Sequence, residues 1–379
     1  MPDTAVIPAG TAGGVARNAK PYLHGPERDA VLAVLASGTY GHGPETELFE
    51  QELARFLGVP DVVCAATGTA ALQIALLTAG IGPGDEVVVP SFTFCASIQA
   101  ILACGARPRF ADIDPATLCT TPQDLLDAAT AATRAAMPVL YGGRAIDLTG
   151  ISQELDARGI TVIEDAAHAF GSRSGQRLVG SNDRVLTCFS FDPIKNLTCG
   201  EGGAIIPRTP EDAARARMLR CLGITQSPHD RQQSVSYTVA SEGLRAHLPA
   251  ISAAIGRVQL ARFPAVAARR KQLWSAYQAA LTGISDITLA DVGIANTVPF
   301  NCVVLVPDRD RVFARMRAAG IGVGVHYPPN HLQPAFAAWH RPLPRTEQAA
   351  AQVLGLPFHP ALTGDDVQVV TACLKEALA

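Results

Sequence analysis

The sequence has few charged residues and none of the patterns that would attach it to nucleic acid or to a membrane. Of its 379 residues 17% are charged, the net charge is -3 and no basic patch is present, so we predict no nucleic acid partner. No apolar run approaches the roughly 18 residues that a membrane span needs, so we predict no membrane contact. Residues 1–14 lack a basic segment followed by an apolar one, which predicts no signal peptide.

Motifs for metals, disulfides and nicotinamide cofactors are also missing. The nine cysteines are scattered without a Cys-x-x-Cys pair, and no His-Glu-x-x-His pair occurs. These absences argue against a zinc site and a disulfide framework, and they favour a cytoplasmic protein. No Gly-x-Gly-x-x-Gly turn follows the first predicted strand, as a nicotinamide-dependent dehydrogenase would require.

Apolar runs and helical stretches alternate through the first half of the chain, which predicts an α/β domain with a mostly parallel sheet between helices. The predicted strands are 61–65, 86–91, 107–112, 136–141, 160–164 and 184–191. The predicted helices between them are 69–80, 95–103, 122–132 and 148–158.

The rest of the chain predicts a second, smaller unit. A long helix over about 249–282 leads to strands at 300–306 and 322–327 and to helices at 308–319, 346–353 and 364–378. We therefore predict an N-terminal arm at 1–20, a large α/β domain at 21–248, and a bridging helix with a small α+β domain at 249–379.

A single lysine, Lys195, lies in the turn that follows the predicted strand 184–191. A lysine at the end of an apolar strand can be desolvated, which favours its neutral, nucleophilic amine. Ser190 precedes it by five residues and can offer a hydroxyl to a phosphate. A lysine with a phosphate-binding serine is what a Schiff-base site for pyridoxal 5'-phosphate (PLP) needs. The alternative is an ordinary lysine in a surface turn.

Gly68 and Thr69 begin the helix that follows the predicted strand 61–65. Small residues at a helix N-terminus present free backbone N–H groups and the positive end of the helix dipole to an anion. This favours a phosphate site. The alternative is an ordinary helix start, because threonine also caps helices well.

Three further side chains follow the ends of predicted strands, where ligands of such sheets bind. Asp165 ends an apolar strand and needs a partner there, such as a protonated pyridine nitrogen; the alternative is a structural helix cap. His168 can reach a neighbouring ring substituent, and Phe94 can stack on a planar cofactor. Packing in the core is the alternative for both.

The order and spacing of these segments are shared with one family. They are Gly68-Thr69-Ala70-Ala71-Leu72, Gly84-Asp85-Glu86-Val87-Val88-Val89-Pro90-Ser91-Phe92-Thr93-Phe94, Ile163-Glu164-Asp165-Ala166-Ala167-His168-Ala169 and Ser190-Phe191-Asp192-Pro193-Ile194-Lys195-Asn196, with His326-Tyr327-Pro328 further on. With these segments the chain resembles the DegT/DnrJ/StrS family of PLP-dependent sugar aminotransferases, which have the aspartate aminotransferase fold. The resemblance runs from about residue 38 to residue 378.

The resemblance implies a role for each candidate residue. Lys195 would form the Schiff base and shuttle the proton, Asp165 would pair with the pyridine nitrogen, and His168 would lie near the cofactor 3'-hydroxyl. Gly68, Thr69 and Ser190 would hold the phosphate and Phe94 would stack on the ring. The family works as a homodimer with active sites that the two subunits share.

Two departures from the family pattern concern Asp192, where many members have histidine, and Arg245. Members acting on sugar nucleotides usually have an asparagine at the Arg245 position, which reaches the cofactor phosphate of the partner subunit. A guanidinium can do the same.

The resemblance implies amino transfer from glutamate or glutamine to a keto-sugar or keto-cyclitol, and this is the activity that we expect. The alternatives are sugar dehydration on the same scaffold, which the retention of Lys195 argues against, and a non-catalytic sensor.

Overall fold

The computed structural model describes residues 14–226, 230 and 233–379 of the chain. The helices are α1 (Pro26–Ser37), α2 (Pro44–Leu57), α3 (Gly68–Thr78), α4 (Cys95–Ala103), α5 (Pro122–Ala128), α6 (Ser152–Ala157), α7 (Pro210–Leu219), α8 (Ala250–Leu281), α9 (Arg309–Ala318), α10 (Pro344–Gln352) and α11 (Gly364–Leu378). The strands are β1 (Val63–Ala65), β2 (Glu86–Pro90), β3 (Arg107–Ala111), β4 (Thr133–Ala136), β5 (Thr161–Asp165), β6 (Arg173–Ser174), β7 (Arg177–Leu178), β8 (Leu186–Ser190), β9 (Gly203–Ile206), β10 (Thr288–Leu289), β11 (Cys302–Leu305) and β12 (Val353–Leu356).

A seven-stranded sheet with the order β1-β9-β8-β5-β4-β2-β3 forms the centre of the molecule. Strand β9 runs antiparallel to its neighbours β1 and β8, and the other pairs in the sheet are parallel. In the parallel pair of β5 and β8, Asp165 lies opposite Cys188. The predicted α/β fold with a mostly parallel sheet is thus confirmed.

Side chains of β8 alternate between two cores, because successive residues of a strand point to opposite faces of the sheet. Leu186 and Cys188 pack in the core on the α3 side, together with Ile74. Phe189 packs in the core on the other side, where Phe49 of α2 is also fully buried. Both faces of the sheet are therefore covered, and a ligand can enter only at its edges or strand ends.

The C-terminal third of the chain has its own sheet, the antiparallel β10-β11-β12. The 32-residue helix α8 packs against this region through Leu273, Trp274 and Tyr277, which share a core with residues of β11, β12 and α11. This agrees with a bridging helix and an α+β unit, but the predicted domain boundaries stay predictions. Of the predicted arm, residues 1–13 lie outside the described residues. Within the described part of the chain, no helix is long and apolar enough to cross a membrane.

The prediction of a strand at 136–141 was wrong. Strand β4 spans Thr133–Ala136 and ends before the most apolar part of the run. Pro138 lacks the N–H that a central strand needs, and Tyr141–Gly143 form a 3-10 turn in which Gly142 has a φ of 65°. The run is apolar because it is buried beside the strand ends, and burial alone does not specify a strand.

The predicted strand at 322–327 and the predicted end of the helix at 122–132 were also wrong. The segment 322–327 is irregular and pairs with the small sheet only at Gly324, opposite Gly355. Its glycines and the prolines that follow it favour a turn over a strand. Helix α5 ends at Ala128 because Ala129 is extended, with a ψ of 141°.

Candidate active site

Lys195 and Asp165 lie at the carboxyl ends of neighbouring strands. Asp165 is the last residue of β5, and Lys195 follows the end of β8 in a turn. The ammonium nitrogen of Lys195 lies 4.6 Å from the centroid of the Phe300 ring. The next residue, Asn196, is buried and donates its side-chain amide to the carbonyls of His168 (3.3 Å) and Val298 (2.9 Å). The lysine therefore extends from a backbone that is fixed to the loop after β5.

Burial lowers the pKa of Lys195 below that of an exposed lysine, although the carboxylates of Asp165 and Asp192 oppose this effect. A lower pKa means that more of the side chain is the neutral amine at neutral pH. The neutral amine is the nucleophilic form.

The Asp165 carboxylate is buried and held at both oxygens. Ser97 donates its hydroxyl to Oδ2 at 2.6 Å, and the Ala167 N–H donates to Oδ1 at 3.1 Å. Burial raises the pKa of Asp165, and these two hydrogen bonds and the charge of Lys195 oppose the rise. Each carboxylate oxygen has two lone pairs, so the carboxylate can still accept a proton donor such as a pyridine N–H.

His168 is a neutral imidazole with a defined tautomer. The Gly142 N–H donates to Nδ1 at 3.3 Å, so the proton of the neutral ring is on Nε2, which lies 3.1 Å from the Tyr327 hydroxyl. Burial, with the charge of Lys195, lowers the pKa of His168 well below its ordinary value. The ring also stacks on Phe300 with centroids 3.9 Å apart. Because His168 donates to Tyr327, the tyrosine proton is available to another acceptor.

The start of α3 and the end of β8 approach each other too closely for a side chain at Gly68. A Cβ at Gly68 would lie 2.7 Å from Cβ and 3.0 Å from Oγ of Ser190. The Thr67 hydroxyl caps the helix by accepting from the N–H of Ala70 (3.0 Å). The N–H groups of Gly68 and Thr69 have no acceptor within the helix. Together with the Ser190 hydroxyl they form a cradle of the kind that binds a phosphate.

Phe94 and Arg245 differ in their placement relative to these residues. The Phe94 ring is 56% exposed and lies 5.6 Å from the ring of Tyr327, so it belongs to the site. Arg245 is exposed and lines a separate cavity of 1140 Å³ with His42 and Arg217. Within one chain the structure therefore brings together the predicted residues Lys195, Asp165, His168, Gly68, Thr69, Ser190 and Phe94. The exposed side chain of Arg245 lines the other cavity, although the carbonyl of the next residue, Ala246, accepts from the Ala66 N–H (2.7 Å), two residues before Gly68.

Three residues of the site were missed by the sequence prediction. Tyr327 contacts His168 and lies in the His326-Tyr327-Pro328 run, which the resemblance includes without a role. Phe300 lies against both Lys195 and His168. Ser97 contacts Asp165 from inside α4. Only Tyr327 had a signal in the sequence, because a lone phenylalanine or a lone helical serine is too common to single out.

The arrangement fits PLP. The cofactor needs an amine for its aldehyde, an anion for its ring nitrogen and a set of donors for its phosphate. Lys195, Asp165 and the Gly68–Ser190 cradle supply one of each, and they lie at or just after the ends of β8, β5 and β1 in the central sheet. Only glycine at position 68 lets the start of α3 lie this close to Ser190, because a side chain there would collide with it.

Comparison with known proteins agrees with this fit. The family model of the DegT/DnrJ/EryC1/StrS aminotransferase family matches residues 21–375. The aminotransferase TlmJ from Streptoalloteichus hindustanus is 34% identical over 96% of this chain and 98% of that chain, with a TM-score of 0.89. DesV from S. venezuelae, solved in complex with a ketimine intermediate, is 36% identical over 93% and 94% of the two chains, with a TM-score of 0.86. The sugar aminotransferase CalS13 from Micromonospora echinospora is 30% identical over 95% and 99%, with a TM-score of 0.89.

The predicted resemblance, cofactor and enzyme class are thus confirmed. Aminotransferases of this family depend on PLP. The solved relatives TlmJ and CalS13 are aminotransferases, and this chain matches each of them over nearly its whole length. The chain therefore belongs to the DegT/DnrJ/EryC1/StrS aminotransferase family and is a PLP-dependent enzyme of the sugar aminotransferase type.

Proposed function

We propose that the enzyme transfers the amino group of glutamate or glutamine to the carbonyl carbon of a keto-sugar, free or nucleotide-linked, or of a keto-cyclitol. The observation that carries this proposal is the half-buried Lys195 amine beside the buried Asp165 carboxylate. CalS13, which shares 30% of its residues with this chain, is a sugar aminotransferase, and this supports a sugar-like acceptor in amino-sugar or secondary-metabolite biosynthesis.

The phosphate cradle and Phe94 hold the cofactor in our proposal. Bound PLP supplies an aldehyde that attaches amines covalently and a ring that accepts electrons from the reacting carbon. The N–H groups of Gly68 and Thr69 and the hydroxyl of Ser190 bind the phosphate, and the exposed ring of Phe94 stacks on the cofactor ring.

Asp165 and the His168–Tyr327 pair then control protons on the cofactor ring. The ionised Asp165 carboxylate holds a proton at the ring nitrogen, which keeps the ring able to accept electrons. His168 remains neutral and donates Nε2–H to Tyr327, so the Tyr327 hydroxyl can donate in turn to the ring oxygen. Asp165 and His168 are buried, so neither is displaced easily by water.

Lys195 moves the proton that amino transfer requires. With PLP bound, the Lys195 amine would take the proton from the substrate carbon that carries the amino group and would return a proton at C4' of the cofactor. One residue can do both because its neutral form is a base and its charged form is an acid. The lowered pKa of Lys195, caused by burial, brings these two forms closer in population near neutral pH.

We also propose that the enzyme works as a homodimer in the cytoplasm. Arg245 is exposed and lines a cavity whose lining does not include Lys195, and a guanidinium there can reach the cofactor phosphate of the partner subunit. No disulfide joins the nine cysteines, all of which lie in the described part of the chain, and unbridged cysteines are the state that a reducing compartment maintains.

The test is isotope transfer with a matched lysine control. The enzyme loaded with PLP is incubated with 15N-glutamate or 15N-glutamine and with a panel of keto-sugars and inososes, and products are analysed by mass spectrometry. Lys195→Ala should lose transfer and the pyridoxyl label that borohydride fixes on the peptide. Lys271→Ala should keep both, because Lys271 donates to the Ala295 carbonyl (3.0 Å) in an exposed hydrogen bond and is not one of the residues of the site. Transfer by Lys195→Ala at the wild-type rate would contradict the assignment.

A further inference from the structure

A chain of buried hydroxyl groups leads to the Asp165 carboxylate from the loop after β2. Thr93 Oγ1 lies 3.0 Å from Ser97 Oγ, which lies 2.6 Å from Asp165 Oδ2. Ser97 is 0% exposed and Thr93 is 2% exposed. Buried hydroxyl groups destabilise the folded protein unless they are hydrogen-bonded. The two hydroxyl groups are therefore stable in the core because they bond to each other and to Asp165.

The direction of the hydrogen bonds follows from proton counting. An ionised carboxylate only accepts, so Ser97 donates its one proton to Asp165. The other acceptor within reach of Ser97, the Phe94 carbonyl, is at 3.4 Å and is the weaker choice. Ser97 must then accept from Thr93. The polarity is from Thr93 to Ser97 to Asp165, and each bond strengthens the next.

Asn330 fixes the loop that carries this chain. Its side-chain amide donates to the carbonyls of Ser91 (3.0 Å) and Thr93 (2.7 Å), and its backbone N–H donates to the Ser91 carbonyl (3.0 Å). Asn330 is 2% exposed. The hydroxyl chain is thus attached to the segment just after Tyr327 and does not depend on the β2 loop alone.

We propose that Ser97 is a positioning residue for amino transfer, whose hydroxyl keeps the Asp165 carboxylate ionised and oriented toward the ring nitrogen of bound PLP. The proposal rests on the proposed function and adds a residue that touches neither substrate nor cofactor. Ser97 occupies one oxygen of the carboxylate and the Ala167 N–H occupies the other. One lone pair remains on each oxygen for the ring N–H.

Loss of the Ser97 hydroxyl should move a proton. Without this donor the ionised carboxylate is less stable in its buried position, so the proton shared with the ring shifts from the nitrogen toward the carboxyl oxygen. We expect Ser97→Ala to move the 15N chemical shift of ring-labelled PLP in the holoenzyme toward that of an unprotonated pyridine. The dissociation constant of PLP should rise by about 10-fold, because an Asp165 carboxyl that is less ionised and less well oriented pairs more weakly with the ring nitrogen. Solid-state NMR and equilibrium dialysis measure the two effects.

The matched control is Thr187→Val. Thr187 is also fully buried, and it donates its hydroxyl at 2.8 Å to Glu164, the neighbouring carboxylate on β5. This variant should leave the 15N shift and the PLP dissociation constant at the wild-type values. Thr93→Val, which removes the donor to Ser97, should shift the nitrogen signal in the same direction as Ser97→Ala but by less, and it decides the matter if Ser97→Ala does not fold.

Asp165→Asn separates failure of this proposal from failure of the proposed function. If Asp165→Asn shifts the ring nitrogen signal and both Ser97→Ala and Thr93→Val leave it unchanged, the role of Ser97 is wrong and that of Asp165 stands. If Asp165→Asn also leaves the signal unchanged, the pairing of Asp165 with the ring is wrong as well. Equal effects of Ser97→Ala and Thr187→Val would mean general loosening of the core, and this too would overturn the proposal.

Discussion

Gly68→Ala tests the phosphate cradle, because the contact that a methyl group would make there is known atom by atom. The new Cβ would lie 2.7 Å from Cβ, 3.0 Å from Oγ and 3.2 Å from Cα of Ser190. Ser190 is paired with Gly203 in the β8–β9 ladder, so its backbone cannot move away easily. Gly68 does not have a positive φ, so the destabilising part of the effect is steric and no backbone strain is added.

Two opposing terms set the magnitude for stability. Overpacking of a well-packed position costs about 1–3 kcal/mol, while alanine in place of a helical glycine stabilises by roughly 0.5–1 kcal/mol. We expect a net loss of about 0–2.5 kcal/mol in the free energy of unfolding. The effect on the cofactor should be larger, because the methyl group fills the gap between the helix start and the Ser190 hydroxyl. The dissociation constant of PLP should rise at least about 10-fold.

The assay is equilibrium dialysis of PLP together with urea unfolding of the apoprotein. The control is Gly364→Ala, since Gly364 begins α11 after a Thr363 cap just as Gly68 begins α3 after Thr67, and nothing lies within 4 Å of its added Cβ. This variant should be slightly more stable than wild type and bind PLP normally. Gly68→Ala combined with Ser190→Gly should regain stability but not affinity. Wild-type PLP affinity in Gly68→Ala alone would refute the cradle.

Two further predictions concern the dimer and the pH dependence of stability. Arg245→Ala should weaken PLP retention and amino transfer. Mixing this variant with Lys195→Ala should restore 15N transfer at one site per dimer. If mixed dimers show no recovery, Arg245 does not contribute across the interface. Burial raises the pKa of Glu164 to about 7 from 4.5, against the hydrogen bond from Thr187. The free energy of unfolding should therefore fall as pH rises from 4.5 to 7. Glu164→Gln should be more stable than wild type at pH 8 by up to about 3 kcal/mol, and this difference should vanish near pH 4. Urea titrations at several pH values measure it. Equal pH profiles would contradict this.

The parts of the fold that could be predicted from the sequence are those with a local cause. Helices α4 and α11 were predicted with the bounds that the structure has, since each has a clear apolar pattern. The apolar run at 136–141 was wrongly predicted to be a strand. It is buried because it packs at the strand ends, where the carbonyls of Pro138 and Gly142 accept hydrogen bonds from other segments. Burial by tertiary contacts looks the same in a sequence as burial in a strand.

The candidate site divides in a similar way. Lys195, Asp165 and Gly68 could be predicted because each follows a strand, and the carboxyl ends of parallel strands meet at one edge. Ser97 and Phe300 could not, because they reach the site from a helix interior and from a distant loop. Their contacts with Asp165 and Lys195 depend on how the elements pack, which no spacing in the sequence encodes.

The antiparallel strand β9 has a consequence for how the reactive lysine can move. The turn that carries Lys195 leaves the sheet at Ser190 and re-enters it at Gly203 in the adjacent position, and Phe191 and Gly202 are hydrogen-bonded across its base at 2.8 Å. Both ends of the segment thus belong to fully buried strands of the central sheet. Travel of the amine between its covalent and free positions must then come from rotation about its own four methylene groups, while the main chain stays still. Only the side chain of Lys195 is then free to move, while its backbone is held by the sheet.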